Sequence, residues 1–241
     1  MNAKTKTVDP LAFAEQVETI CTRYAYAPLL HARGGHIVSC DEMTGIQALE
    51  RIAPTQPMRK GRPERREFEY KRHGTLSLIA NFDVVTGQIV QPSLGPRRTE
   101  DDFVRHIAQT LATDPDALWV FLTDQLNTHQ SEHVVRLVAA HCGIDDDLGV
   151  KGKTGVLQSL VTRTAFLSDS AHRIQFVYVP KHTSWLNQVE IWFSILVRRV
   201  IKRGNFSSVA DLDAQIVAFI DYFNQTAKPF AWTYTGRPLV V

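Results

Sequence analysis

The chain has 241 residues, of which 44% are hydrophobic and 22% charged, and its formal net charge is +2. This composition is typical of a globular protein and excludes collagen-like, low-complexity and wholly disordered chains. No stretch approaches the roughly 18 apolar residues needed to span a bilayer, so no membrane partner is expected. Three cysteines, odd in number and far apart, argue against a disulfide framework and predict a reducing, cytoplasmic setting.

Apolar periodicity and turn signals predict an alternation of strands and helices. In chain order the predicted elements are a helix (9–28), a buried strand (36–40), a basic loop (54–74), a hairpin (75–82 and 87–91), a helix opened by Thr99, a central strand (118–123), a helix (128–141), an irregular segment (144–173), a strand (174–179) and two helices (185–201 and 208–224). One mixed five-stranded sheet flanked by helices accommodates this order, so the fold class is α/β.

Three acidic residues fall where this topology would bring side chains together. Asp41 follows the first predicted strand, Asp124 follows the central strand, and Glu190 lies in the first turns of the helix after the last strand. Side chains at the carboxyl ends of central strands converge on one crevice in such folds. Three carboxylates there would form an oxygen-only site suited to Mg²⁺ or Mn²⁺. Taken singly, each acid is more readily explained as a turn, cap or solvated residue than as a metal ligand.

The segments around these acids carry a family resemblance. VSCDEMTGIQAL (38–49), WVFLTDQLNTHQS (119–131) and VPKHTSWLNQVEIWFSIL (179–196) resemble the three signature blocks of DDE transposases of the mariner-like superfamily, most closely the bacterial insertion-sequence branch. The resemblance runs from about residue 34 to the C-terminus. It implies a ribonuclease H-like fold and assigns Asp41, Asp124 and Glu190 as catalytic metal ligands.

The resemblance also implies an activity and its partners. Two Mg²⁺ or Mn²⁺ ions held by the three acids would support cleavage of a DNA strand and transfer of the freed 3′ end. The expected partners are transposon-end and target DNA and a second copy of the chain, because two element ends must be joined. Such a protein would act in the cytoplasm at the nucleoid.

Several further residues are candidates for accessory roles. Asn127, His129 and Asn187 lie close to the acids in sequence and are candidates to orient a ligand or contact phosphate, although capping and packing would explain the first two equally well. The predicted DNA-contacting residues are basic or flank the Glu190 helix: Arg59, Lys60, Arg62, Arg65, Arg66, Lys181, His182 and Trp185. Contacts from the basic loop would be salt-dependent and independent of base sequence.

The domain organisation predicted from the resemblance has two parts. Residues 34–241 form the catalytic domain, with 144–173 as an insertion that lengthens the interval between Asp124 and Glu190. Residues 1–33 form a helical lead-in, a remnant or a linker, too short for the helix-turn-helix region that full transposases of this kind carry. The sequence leaves open whether a separate helix-turn-helix polypeptide supplies DNA recognition.

Two rival functions remain open on sequence alone. The chain could be a different ribonuclease H-like nuclease, or a truncated and catalytically silent transposase that only binds DNA. The SWLNQVEIW block favours a transposase over other nucleases, and the presence of all three acids argues against decay of the site.

Overall fold

The computed structural model describes residues 10–65, 67–181 and 183–235. Its sheet has five strands in the order β3-β2-β1-β4-β5. The bounds are β1 (Gly35–Arg51), β2 (Tyr70–Asp83), β3 (Ile89–Gly95), β4 (Leu118–Thr123) and β5 (Ile174–Tyr178). β1, β2 and β3 are antiparallel neighbours, whereas β1, β4 and β5 run parallel. The predicted mixed five-stranded sheet is therefore confirmed.

Helices cover both faces of this sheet. The α-helices are α1 (Pro10–His31), α2 (Glu100–Leu111), α3 (Glu132–Cys142), α4 (Leu160–Leu167), α5 (Gln188–Leu196) and α6 (Val209–Gln225). One hydrophobic cluster joins α1, α5 and α6 to one face, and a second joins α2, α3 and α4 to the other. None of the helices in the described parts of the chain has the length and apolar character needed to cross a membrane.

Helix α1, which precedes the region of family resemblance, packs into the first of these clusters. Its residues Val17, Ile20 and Tyr24 are buried there. The Tyr24 hydroxyl donates a hydrogen bond of 2.7 Å to the carbonyl oxygen of Leu186, just before α5. Helix α1 therefore contacts the segment that leads into the Glu190 helix.

Strand β1 differs from its prediction, because it does not end before Asp41. It continues to Arg51, and Asp41 pairs with Ala80 of β2 in the middle of the strand. The prediction was wrong because consecutive polar residues were interpreted as a turn, whereas here they extend a two-stranded ribbon. The pairing of β1 with β4 stops at Ser39, so Asp41 still lies where β1 passes the end of β4.

The basic loop predicted at 54–74 is also more ordered than expected. Residues 70–74 belong to β2, where Glu50 faces Lys71 across the ribbon. Beyond the ribbon, Gln56 pairs with Arg65 and Arg59 with Arg62, which forms a short hairpin tip. The Glu50–Lys71 pair supports the ribbon, and Gly61 at positive φ allows the turn between Arg59 and Arg62.

Two further predictions need correction. The segment 144–173 contains α4, which begins at a capping box between Ser159 and Thr162, and Leu157 and Leu167 are buried. The helix predicted at 185–201 is a 3₁₀ turn at Ser184–Leu186, then α5, then a π-helical turn at Val197–Ile201.

Candidate active site

The three predicted acids line one cleft of about 460 Å³. Asp41 comes from the middle of β1, Asp124 follows β4, and Glu190 lies in the first turn of α5. The cleft opens beyond the carboxyl end of β4. Its other lining residues include Glu42, Arg98, Gln125, Lys181 and Thr183.

Asp41 is held in place by Asn187, the residue that precedes α5. The Asn187 side-chain amide donates hydrogen bonds to Oδ2 of Asp41 at 3.0 Å and to the Cys40 carbonyl oxygen at 3.1 Å. Its amide oxygen accepts a hydrogen bond from the Ser39 hydroxyl, which in turn accepts one of 2.8 Å from the Val189 backbone. Asn187 is fully buried, so this network fixes the start of α5 against β1.

Asp124 is held by His129 from the 3₁₀ turn that follows β4. Nδ1 of His129 lies 2.8 Å from Oδ1 of Asp124, and Nε2 lies 3.0 Å from Oε1 of Glu42. The His129 side chain is 0% exposed and that of Glu42 is 2% exposed. Oε2 of Glu42 is buried without a hydrogen-bond partner in the described structure.

The carboxylates of the cleft perturb one another. Burial raises the pKa of Asp41 to about 7, and the charges of Asp124 and Glu190 act in the same direction. Burial also raises the pKa of Glu190, again with a contribution from Asp124. For Asp124, burial is outweighed by the hydrogen bond and charge of His129, so its pKa is lowered. The ionised forms of Asp41 and Glu190 are therefore disfavoured unless a cation compensates their charge.

This donor set fits hard divalent cations. The acids offer only oxygen ligands, which is the ligand type that Mg²⁺ and Mn²⁺ prefer. One oxygen from each of the three acids cannot be chosen so that all three lie within 4.8 Å of one another. Among the described residues, ligand atoms of His31, His36 and Asp83 do lie that close together.

A family model described as "DDE superfamily endonuclease" matches residues 36–213, which include all three cleft acids. The chain belongs to this family. A search of curated protein sequences gives no match.

Solved structures show the fold of this family member. The paired-end complex of the Mos1 mariner with Mn has a TM-score of 0.54 and 12% identity over 92% of this chain and 59% of that chain. The pre-cleavage Mos1 transpososome has a TM-score of 0.53 and 12% identity over 95% of this chain and 60% of that chain. The catalytic domain of Mos1 mariner transposase has a TM-score of 0.52 and 10% identity over 90% of this chain and 84% of that chain. The chain thus spans about three fifths of the Mos1 chains in those complexes, and the predicted ribonuclease H-like fold is confirmed.

The structure buries some of the predicted accessory residues and exposes others. His129 and Asn187 are buried beside the acids, whereas Asn127 is exposed and does not line the cleft. Lys181 is exposed on the cleft wall. Trp185 is 50% exposed, with its ring 5.1 Å from that of Tyr234.

The predicted DNA-contacting residues of the basic loop lie away from the cleft. Arg59, Lys60, Arg62 and Arg65 are exposed on the hairpin tip. Arg66 and His182 lie outside the described residues.

Sequence reasoning missed Glu42 and Arg98. Glu42 directly follows Asp41, and its burial against His129 depends on a contact 87 residues away in sequence. Arg98 is exposed on the cleft and its charge contributes to lowering the pKa of Asp124. The adjacent acids Asp41 and Glu42 were a sequence signal that could have identified Glu42. No local pattern indicated Arg98.

Proposed function

We propose that this chain is the catalytic domain of a transposase that cleaves DNA at the ends of an insertion sequence and joins the freed 3′ end to target DNA. The observation that carries the proposal is the convergence of Asp41, Asp124 and Glu190, from three separate elements, on one cleft of a DDE endonuclease. The likeness to the Mos1 catalytic domain supports the same proposal through the fold.

Asp41, Asp124 and Glu190 would hold Mg²⁺ or Mn²⁺, and we propose two ions. When bound, such ions activate a water or 3′-hydroxyl nucleophile and stabilise the charge that develops at a phosphodiester. The structures of Mos1 described with Mn and with Mg support the choice of cations.

The chain's own side chains position this site. Asn187 fixes Oδ2 of Asp41, and His129 fixes Oδ1 of Asp124, so that both carboxylates are oriented before any ligand arrives. Lys181 and Arg98 line the same cleft and would neutralise the phosphates of a strand drawn into it.

The surfaces outside the cleft suggest how DNA is held. Arg59, Lys60, Arg62 and Arg65 project on the hairpin tip, where they would contact the DNA backbone without reading bases. Trp185, exposed just before α5, would contact the strand near the cleft. Arg66 and His182, which the sequence adds to this set, remain sequence-based proposals.

Further parts of the proposal concern assembly and setting. We propose a homodimer that pairs two transposon ends, within the bacterial insertion-sequence branch and at the nucleoid in the cytoplasm. The catalytic domain is assigned to 34–241, with 144–173 as its insertion and 1–33 as a lead-in. A separate helix-turn-helix polypeptide is proposed to read the terminal repeats.

The test is nicking of a labelled duplex that carries the element's own terminal repeat, in Mg²⁺ or Mn²⁺. The wild-type chain should nick the duplex near the repeat, and the Glu190→Gln variant, which keeps the shape of the side chain, should not. A matched control is Glu132→Gln, since Glu132 lies at the start of α3, away from the cleft.

The rival functions predict different results. Cleavage of plain RNA–DNA hybrids in preference to the terminal repeat would favour another ribonuclease H-like nuclease. DNA binding without cleavage, also after the upstream reading frame is restored, would favour a silent relic.

A further inference from the structure

A second group of ligand-type side chains lies at the end of the sheet opposite the cleft, where β1 begins and β2 ends. It consists of His31 at the end of α1, His36 near the start of β1 and Asp83 at the end of β2. One ligand atom from each lies within 4.8 Å of the other two. At a rise of about 3.3 Å per residue, His36 is roughly 17 Å from Asp41 along β1. The group is therefore separate from the proposed catalytic site.

The turn between α1 and β1 brings the two histidines together. The backbone N–H of Gly34, at φ 78°, donates a hydrogen bond of 2.9 Å to the His31 carbonyl oxygen. The chain thereby reverses direction, and the His31 and His36 rings meet with centroids 5.9 Å apart at an angle of 74°.

His36 is oriented by a fourth residue, Asp114. Nε2 of His36 lies 3.0 Å from Oδ2 of Asp114, so the proton on Nε2 is donated to this carboxylate and the lone pair of Nδ1 points the other way. A carboxylate that orients the distal nitrogen of a histidine is the usual arrangement around protein-bound zinc. One face of the His36 ring is stacked against Trp119, with the ring centroids 4.2 Å apart.

Asp83 is buried and presents one free oxygen to Nδ1 of His36. Its Oδ1 accepts hydrogen bonds from the Val85 and Thr86 backbones at 2.8 and 2.9 Å. Its Oδ2 lies 3.7 Å from Nδ1 of His36. That separation is too long for a good hydrogen bond but near the roughly 3.4 Å that two ligands about 2.1 Å from a tetrahedral ion would have.

We propose that His31, His36 and Asp83 form a zinc site, with Asp114 orienting His36 and water as the fourth ligand. Two imidazoles and one carboxylate suit Zn²⁺ better than the all-oxygen ligand set of the cleft. His31 and His36 are only partly buried, which leaves room for the water. The ion would join the end of α1 to β1 and β2, so its binding should stabilise this junction.

The experiment measures zinc binding to the chelator-treated full chain by calorimetry, in an Asp124→Asn/Glu190→Gln background that removes two cleft carboxylates. We expect one Zn²⁺ per chain. His31→Ala should weaken binding at least tenfold, and Asp114→Asn should weaken it by about 10- to 100-fold. His141→Ala, which removes an exposed histidine at the end of α3, should bind zinc as the background does.

Two further readouts report on the same site. Zinc should raise the midpoint of thermal unfolding of the Asp124→Asn/Glu190→Gln variant but not of the same variant with His31→Ala, because only a bound ligand stabilises the folded state. Co²⁺ should give the visible absorption of a tetrahedral site and quench emission from Trp119.

The alternative is that His36 is a protonated residue between two carboxylates and binds no metal. Absence of stoichiometric zinc binding, or zinc affinity unchanged in His31→Ala, would overturn the proposal. Because no DNA is present in these measurements, failure here would leave the proposed transposase function untouched.

Discussion

Nδ1 of His129 lies 2.8 Å from Oδ1 of Asp124, and the imidazole ring that makes this contact is wholly buried. Burial alone would lower the pKa of His129, but the hydrogen bonds and charges of Asp124 and Glu42 raise it to about 10. The ring is therefore a cation at neutral pH, held between two carboxylates and packed against Phe103 at 4.2 Å. Through this ring, a buried ion-pair network determines the position of one cleft acid.

Replacing the positively charged His129 alone should destabilise the protein strongly. His129→Gln leaves the carboxylate of Glu42 buried without its cationic partner, which should lower the free energy of unfolding by about 3–5 kcal/mol. The double variant Glu42→Gln/His129→Gln removes both charges and should recover part of that loss. Urea unfolding of the wild-type chain and the variants measures the difference. Equal stability of the single and double variants would contradict the role assigned to this pair.

Asn187 is predicted to act as a positioning residue for Asp41. Asn187→Ala removes the donor that lies 3.0 Å from Oδ2 of Asp41, so metal-dependent cleavage should fall about 10- to 100-fold, with a higher metal concentration needed for half-maximal rate. The free energy of unfolding should also fall by about 1–3 kcal/mol, because buried hydrogen-bond partners are left unpaired.

The matched control is Asn81→Ala. Asn81 is also fully buried, and its side chain donates a hydrogen bond of 2.7 Å to Thr110, away from the cleft. It should lose comparable stability while retaining cleavage and its metal dependence. If both variants lost cleavage in proportion to stability, Asn187 would have a structural role only.

Structural features that depend on neighbouring residues in the sequence were predictable, whereas features that depend on tertiary contacts were not. The capping box of Thr99 and Asp102 and the αL cap at Gly143 are local, and both were predictable. The β4 run 118–123 was equally clear because it is apolar throughout. The continuation of β1 past Asp41 was not, because its polar residues are stabilised by pairing with β2.

The same distinction holds within the site. Asp41, Asp124 and Glu190 could be proposed because each follows or opens a recognisable element. The contact between His129 and Glu42 could not be predicted, because it joins residues 87 positions apart through burial that no local pattern encodes. Which polar residues become positioning residues is decided by packing rather than by spacing.

The hairpin tip is predicted to bind DNA phosphates. Replacing Arg59, Arg62 and Arg65 with glutamine should weaken binding of duplex DNA of any sequence. It should also reduce the slope of log affinity against log salt by about 0.9 for each phosphate that the tip no longer neutralises. Fluorescence anisotropy at several salt concentrations measures both effects.

A triple variant with the same net charge provides the control. Arg33→Gln/Lys151→Gln/Lys153→Gln removes three exposed basic residues outside the hairpin tip. If both triple variants reduced the salt slope equally, DNA binding would depend on total charge rather than on the tip.

His106 should make the protein less stable as the pH falls. This buried histidine on α2 has a pKa lowered to about 3, first because burial disfavours the charged form and second because of the charge on His129. In the unfolded chain its pKa would be about 6.5. Below that pH the unfolded state binds a proton that the folded state does not. The free energy of unfolding should therefore fall by up to about 1.4 kcal/mol per pH unit from this residue, until the pH approaches the folded pKa.

The measurement is urea unfolding at a series of pH values for His106→Gln, which cannot be protonated, beside His141→Gln, which replaces an exposed histidine. Between about pH 6.5 and about pH 5 the wild-type chain and His141→Gln should lose roughly 1.6 kcal/mol more than His106→Gln. The difference between variants isolates His106 from the other titrating groups. A pH dependence that is the same in all three proteins would show that His106 takes up its proton equally in the folded and unfolded states.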